Sequence, residues 1–221
     1  MSLIFKNSSF KFRKGQKEVF EKLLEGLKKN HVTCLQAPAG YGKTLLTLLA
    51  LSEFMGNEIR AIWTVRTGNE TDRPIEEIKK LKMTVPALSF RGKRDMCLLA
   101  KKMRTKTYEG VEVLCRLKKD RCPYYETLKN YSAELDGPKT FTEMYYEAKK
   151  EDVCPYYLQH YLLEKARIVS LSYNYVFTPV MWSIRRKFPF SKSVLVIDEA
   201  HNLQNLAYDL NSDYISTLTI L

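Results

Sequence analysis

Three groups of residues in this 221-residue sequence could do chemistry. The first is Ala37-Pro38-Ala39-Gly40-Tyr41-Gly42-Lys43-Thr44. Small residues let a backbone turn with its N–H groups inward, Lys43 adds a point charge for outer phosphates, and the Thr44 hydroxyl can reach Mg²⁺. Ala37 stands where the strict phosphate-loop pattern has its first glycine. The second group is Asp198-Glu199-Ala200-His201, which closes the apolar run 193–197. An acid at such a strand end can hold Mg²⁺ through water, and the acid beside it can orient and deprotonate an attacking water. His201 suits the relay of nucleotide state to nucleic-acid binding better than it suits chemistry. The third group is four cysteines, Cys97, Cys115, Cys122 and Cys154, with 17, 6 and 31 residues between them. Four thiolates suffice for a tetrahedral zinc or a cubane iron–sulfur cluster. Zinc modules usually bring ligands in close pairs, and no C-x-x-C occurs here, so the spacing favours a cluster or no metal. Prolines follow Cys122 and Cys154, fixing the chain's exit and removing a backbone donor.

Elements to position these groups can be read around each. The apolar run 32–35 predicts a strand into the phosphate loop, with Cys34 as buried core, and 45–51 predicts the helix that follows it. Residues 15–29 show a single apolar stripe, Val19, Phe20, Leu23, Leu24 and Leu27, which predicts an amphipathic helix. Just before it, Phe12, Arg13 and Gln16 could take an adenine by stacking and amide hydrogen bonds. A second strand is predicted over 59–65, ending at Arg66-Thr67, where a phosphate-backbone contact is possible, and a helix over 74–82. A third strand covers 166–172, with a helix over 173–187, and a fourth covers 193–197. Strands alternating with helices imply a parallel sheet whose C-terminal edge carries function. Gly137-Pro138 reads as a turn within the region that interrupts this pattern.

Composition narrows the classes. Hydrophobic content of 45% and charged content of 28% are those of a soluble globular protein. Apolar runs are short and broken by charge, so no membrane span or signal peptide is expected. Five cysteines without a secretory signal point to an intracellular protein that uses thiols for metal. The net charge of +11 suggests a polyanionic partner. Between Arg91 and Lys129 lie twelve Lys and Arg against five Asp and Glu, interleaved with Tyr108, Tyr124, Tyr125 and Tyr131. That composition fits a surface for single-stranded nucleic acid, and equally a small core of tyrosines under solvated lysines.

A-x-x-G-x-G-K-T followed by D-E-A-H resembles the superfamily 2 helicases, in which alanine at the first loop position is common. The cysteine insertion, opening G-K-R-D-M-C and ending C-P-Y-Y, narrows the resemblance to the XPD family of iron–sulfur DNA helicases. F-R-x-x-Q, R-T and S-Y-N-Y are lesser echoes. The resemblance implies an α/β RecA-like P-loop domain with a parallel sheet, residues 1–90 and 166–221, interrupted by a mainly helical iron–sulfur domain at 91–165. It implies that Cys97, Cys115, Cys122 and Cys154 ligate one [4Fe–4S] cluster. ATP and Mg²⁺ would be held by Arg13, Gln16, Ala39, Gly40, Gly42, Lys43, Thr44, Asp198, Glu199 and His201. Single-stranded and forked DNA, together with repair-complex proteins, are the implied partners of an ATP-dependent helicase acting in nucleotide excision repair. A monomer is expected, cytoplasmic in an archaeon and nuclear in a eukaryote. Family members continue into a second RecA-like domain that supplies an arginine finger, so this chain reads as the N-terminal part. The rival readings are a zinc-bearing nucleic-acid-binding module with a regulatory P-loop, and an RNA helicase.

Overall fold

The computed structural model describes residues 11–29, 32–56 and 59–212. The outer ends of the two expected RecA-like segments, 1–10 and 213–221, lie outside them. In chain order come α1 (Gln16–Lys29), α2 (Lys43–Phe54), β1 (Arg60–Val65), α3 (Asp72–Lys80) and β2 (Ala87–Ser89). The interrupting region holds α4 (Lys93–Met96), α5 (Leu98–Lys102), α6 (Tyr108–Lys118), α7 (Pro123–Lys129), β3 (Pro138–Lys139), α8 (Phe141–Lys150) and α9 (Pro155–Leu162). It is followed by β4 (Ile168–Ser172), α10 (Asn174–Phe177), α11 (Met181–Arg185), β5 (Ser193–Ile197) and α12 (Leu203–Leu210).

The five strands form one parallel sheet in the order β3-β2-β4-β1-β5. β1, flanked by β4 and β5, is buried over Ala61–Val65, as a largely apolar run requires of a parallel strand covered on both faces. It pairs Ala61 with Ile168 of β4 on one side and with Val194 of β5 on the other. Leu48, Leu49 and Leu51 of α2 pack with Trp63, Val65, Ile75 and Ile78 on one side of the sheet. α1 lays Leu23, Val19, Phe20 and Leu27 against Leu46 and Ala50 of α2. Each leucine buried this way contributes about 1.5–3 kcal/mol relative to exposure.

On the other side, Ile62, Leu88, Val169 and Leu171 of the sheet share one core with Met96, Leu135, Met144, Ala148, Val153, Leu158 and Leu162. The interrupting region is therefore rooted in the sheet's own core, and β3 extends the sheet beside β2. Four local expectations need correcting. Residues 32–38 form no strand: Val32 is 78% exposed and Cys34 is exposed too. An apolar run becomes a strand only with a partner for its backbone, and no described segment pairs with the outer edge of β5. Gly137-Pro138 leads into β3 rather than making a turn. The helix expected over 173–187 is broken between α10 and α11, where Thr178 is extended ahead of Pro179.

Candidate nucleotide site and cysteine cavity

β1, β4 and β5 end together, and the candidate nucleotide site lies at that end of the sheet. α2 returns the chain to the start of β1, so its first turn and the phosphate loop point toward the end where β1 finishes. Gly40 (φ 76°) and Gly42 (φ 96°) take the left-handed backbone the loop needs, and Gly42 is the N-cap of α2. A Cβ on Gly42 would sit 3.0 Å from Gln16 Nε2, and at φ 96° any side chain would be strained.

The loop is held by its neighbours. Gln16, fully buried, donates Nε2 to Tyr41 O at 2.6 Å and accepts at Oε1 from Arg13 N at 2.9 Å. Arg13 Nη1 donates to Gly40 O at 3.3 Å. Lys43 Nζ folds back to donate to Ala37 O at 3.0 Å. Arg13 and Gln16, expected near an adenine, thus also fix the phosphate loop itself. Ala39 and Thr44 border the same turn, Ala39 exposed and Thr44 half-buried at the start of α2.

Asp198 continues the ladder of β5, its N–H donating to Thr64 O at 2.9 Å. Burial pushes its carboxyl above the usual carboxylate range, while the Trp63 indole and Arg73 pull the other way. The Trp63 indole N–H faces this acid without a hydrogen bond of ordinary geometry. A partly buried acid so placed gains by meeting a cation. Glu199 and His201 are exposed, with His201 Nδ1 3.5 Å from Glu199 Oε2. Among the described residues no hydrogen bond or ion pair joins the phosphate loop to Asp198, Glu199 or His201. Arg66 is exposed at the end of β1, whereas Thr67 is engaged: its N–H and Oγ1 both bond Glu70 Oε2, at 2.9 and 3.1 Å.

The four cysteines, far apart in sequence, line one largely apolar cavity with Leu99, Lys118, Lys119, Tyr125 and Tyr157. Cys97, Cys122 and Cys154 each stand at a helix N-cap, and Cys115 Sγ lies 3.9 Å from Tyr157 Oη. Burial pushes the Cys154 thiol up to about 12 and raises Cys97 as well. Among the described residues no group of three or more His, Cys, Asp or Glu is arranged as a metal site. The donor set fits a thiolate-ligated cluster, and the cavity gathers all four thiols without closing them into a ligand array.

Of the interleaved tyrosines, Tyr131 packs against the core shared with the sheet, whereas Tyr108 and Tyr125 carry cations over their rings, as Tyr145 does beyond that set. Arg94 lies 3.8 Å from the ring centre of Tyr108, Lys101 3.8 Å from that of Tyr145, and Lys119 4.7 Å from that of Tyr125. Sequence reasoning also missed a buried clasp at the root of the insertion. Gln159, fully buried, donates Nε2 to Arg91 O at 2.7 Å and accepts from Arg91 N at 3.0 Å. The Arg91 guanidinium bonds Asn69 Oδ1 at 2.9 Å and covers the Phe141 ring at 4.3 Å. Beside it Asp72 accepts from Ser89 Oγ, from Phe141 N at 2.8 Å and from Thr142 Oγ1 at 2.8 Å. No local pattern marks a buried glutamine five residues past a cysteine.

The DEAD_2 family model matches residues 63–220. This chain belongs to the DEAD_2 family. The likeness runs to its XPD members. The chain is 30% identical over 219 residues to the "ATP-dependent DNA helicase XPD" of Sulfolobus acidocaldarius, covering 95% of this chain and 36% of that protein. It is 27% identical over 208 residues to the "General transcription and DNA repair factor IIH helicase subunit XPD" of Dictyostelium discoideum, covering 81% of this chain and 27% of the relative. Among solved structures, "XPD_Helicase" matches with a TM-score of 0.65 at 29% identity, over 89% of this chain and 34% of that one. "Truncated XPD" matches at 0.61 and 27% identity, over 87% and 54%. The chain thus spans about a third of the length of these curated relatives. The parallel α/β architecture is the one the resemblance implied. Among the described residues no helix is long and apolar enough to cross a membrane.

Proposed function

We propose that this chain carries the ATP-binding part of an XPD-type DNA helicase, an intracellular enzyme that couples ATP hydrolysis to movement along single-stranded DNA and to opening forked duplex in repair. One observation supports the reading above the others. In a DEAD_2 chain, a glycine loop with Lys43-Thr44 caps a helix packed on the parallel sheet whose strand β5 ends in Asp198-Glu199.

In this reading Lys43 bonds the outer phosphates, exchanging Ala37 O for a phosphate oxygen, and the N–H groups around Ala39, Gly40 and Gly42 cradle them. Thr44 and Asp198 would hold Mg²⁺, which when bound neutralises charge building on the phosphates. Glu199 orients the attacking water and takes its proton. Arg13 and Gln16 meet the adenine edge while steadying the loop, and His201 reports nucleotide state to bound DNA. Cys97, Cys115, Cys122 and Cys154 would hold a [4Fe–4S] cluster, whose contribution is a rigid cross-link of the 91–165 domain rather than redox chemistry. The basic residues of that domain follow a DNA backbone, and repair-complex proteins are the expected macromolecular company.

The test is purification of the full-length protein without oxygen. It should be brown, hold about four irons per chain, and hydrolyse ATP faster when single-stranded DNA is added. One equivalent of zinc in a colourless protein would replace the cluster reading, and stimulation by RNA in preference to DNA would replace the substrate.

A further inference from the structure

β5 is an edge strand, and its ladder to β1 ends where Asp198 N donates to Thr64 O at 2.9 Å. Immediately beyond, Glu199 takes φ 54° and ψ 46°, left-handed backbone that a residue with a side chain enters at a cost. A strained turn past the end of an edge ladder stays formed only when something outside the ladder holds it.

Tyr173 is that tether. It is 2% exposed, and it follows β4 directly. Its N–H donates to Val65 O, the last residue of β1, at 2.9 Å. Its hydroxyl is shared between the carbonyls of Asp198 and Glu199, the second at 3.1 Å. One residue therefore ties the ends of β4, β1 and β5, and it grips the main chain of the two acids rather than their carboxylates. Asn202 reinforces the grip, donating its N–H to Glu199 O at 2.9 Å and its Nδ2 at 3.1 Å. The Asp198 carboxylate, beside Trp63 and Arg73, and the Glu199 carboxylate, 3.5 Å from His201, take no part in this tether, which fixes their backbone from behind.

We propose that Tyr173 is a positioning residue for the Asp198–Glu199 pair, its hydroxyl holding the left-handed turn so that both carboxylates are aimed before Mg²⁺ and the attacking water arrive. The proposal rests on the ATPase reading above. Without the hydroxyl the two carbonyls lose a donor and the turn relaxes toward ordinary backbone. The P-loop, held separately through Gln16, is untouched.

The experiment is Tyr173→Phe in the full-length protein, with three readouts: kcat for ATP, the Mg²⁺ concentration giving half-maximal turnover, and ATP affinity in EDTA. The expected result is a fall in kcat of about ten- to a hundredfold, the range seen when a group supporting a metal-ligating carboxylate is removed. The half-maximal Mg²⁺ concentration should rise, and affinity in EDTA, which reports the P-loop alone, should hold. Asn202→Ala should shift the Mg²⁺ dependence the same way by less. Tyr175→Phe is the control. It deletes the hydroxyl of a ring packed on Phe90 with centroids 5.0 Å apart, on the helix Tyr173 caps, and should leave all three readouts at wild type. Unchanged kcat and Mg²⁺ dependence in Tyr173→Phe, or an equal loss in Tyr175→Phe, overturns the positioning role. A wild-type protein that neither binds nor hydrolyses ATP overturns the ATPase reading, and this role with it.

Discussion

The nucleotide end and the cysteine end of this protein are held in opposite ways. At the nucleotide end, hydrogen bonds from outside already fix the loops: Gln16 and Arg13 hold the phosphate loop, and Tyr173 holds the acid turn. The charged groups there are exposed or half-exposed, ready to exchange one partner for another. At the cysteine end the scaffold is apolar and thin, with Cys97, Ala100 and Val111 forming a small cluster of their own. Burial drives the Cys97 and Cys154 thiols toward the neutral form. A site preformed by hydrogen bonds loses chemistry, not structure, when a ligand-binding residue is removed. On the proposed cluster reading, a site built from these thiols loses local structure when the metal is removed, because thiolates beside the buried Cys97 and Cys154 need its charge.

The first consequence is also the largest. Lys43 donates to its own loop and supports no other element. Lys43→Ala should therefore lower ATP turnover by about 10²–10³-fold, the range for loss of a charge-stabilising donor, with the melting temperature unchanged. A comparable drop in thermal stability would mean the loop is a structural element after all, and the contrast would fail at its stronger end.

The root of the insertion belongs with neither extreme, and its pH response shows why. His160 of α9 packs edge-on against Phe90 and Tyr156, with ring centroids 4.9 and 4.7 Å away. Burial, with Lys187 and Lys93 nearby, lowers it from the ordinary 6.5 to about 4. The unfolded chain therefore binds this proton between those values and the folded chain does not. Stability from the neutral ring is fully present above about pH 6.5 and is lost as pH falls toward 4, by at most about 3 kcal/mol. His160→Phe should flatten the acid limb in that window. Identical limbs in urea titrations of the two proteins would show the ring is solvated.

Much of the nucleotide end was legible because its signals are local. The apolar runs of β1 and β5 run straight into Arg66 and Asp198, and the loop announces itself by Gly40, Gly42 and Lys43. The features that escaped depend on partners distant in sequence. β2 and β3 have three and two residues, too few to show a period, and exist through pairing with each other and with β4. Val32 to Leu35 has strand composition without a strand's partner. Gln159 and Tyr173 matter through pairs of hydrogen bonds to backbone 68 and 25–26 residues away, which no sequence window contains. The gathering of the four cysteines was legible only through resemblance.

A third prediction separates root from tip. The segment 138–163 shares the sheet's core and is clasped through Asp72, Arg91 and Gln159, lending only Cys154 and Tyr157 to the cavity, whereas 97–129 supply the rest of its lining. If the proposed cluster is held there, Cys122→Ser should bleach the protein and speed amide exchange at least about tenfold in 97–129, leaving 138–163 protected. Equal loss of protection in both would show that the metal, not the shared core, holds the root.

The smallest effects lie on the tip's surface, where two adjacent lysines are differently employed. Lys118 is exposed and makes no hydrogen bond or ion pair among the described residues. Lys119 places its ammonium 4.7 Å from the ring centre of Tyr125 and 4.6 Å from that of Tyr157, beside the cysteine cavity. If the insertion follows a single strand, only the uncommitted cation can neutralise a phosphate without giving something up. Lys118→Ala should then reduce the slope of log K against log salt by about 0.7, the value for one phosphate contact on a single strand, with stability unchanged. Lys119→Ala should do the reverse, costing about 0.5–1 kcal/mol of insertion stability through the lost ring contacts and moving the slope less. Matched slopes in titrations of both variants, with matched melting curves, would mean the ring contacts do not hold Lys119. The tip would then be a uniform basic surface, and the difference drawn between an uncommitted and a ring-bound cation, both on the rim of the cavity, would disappear.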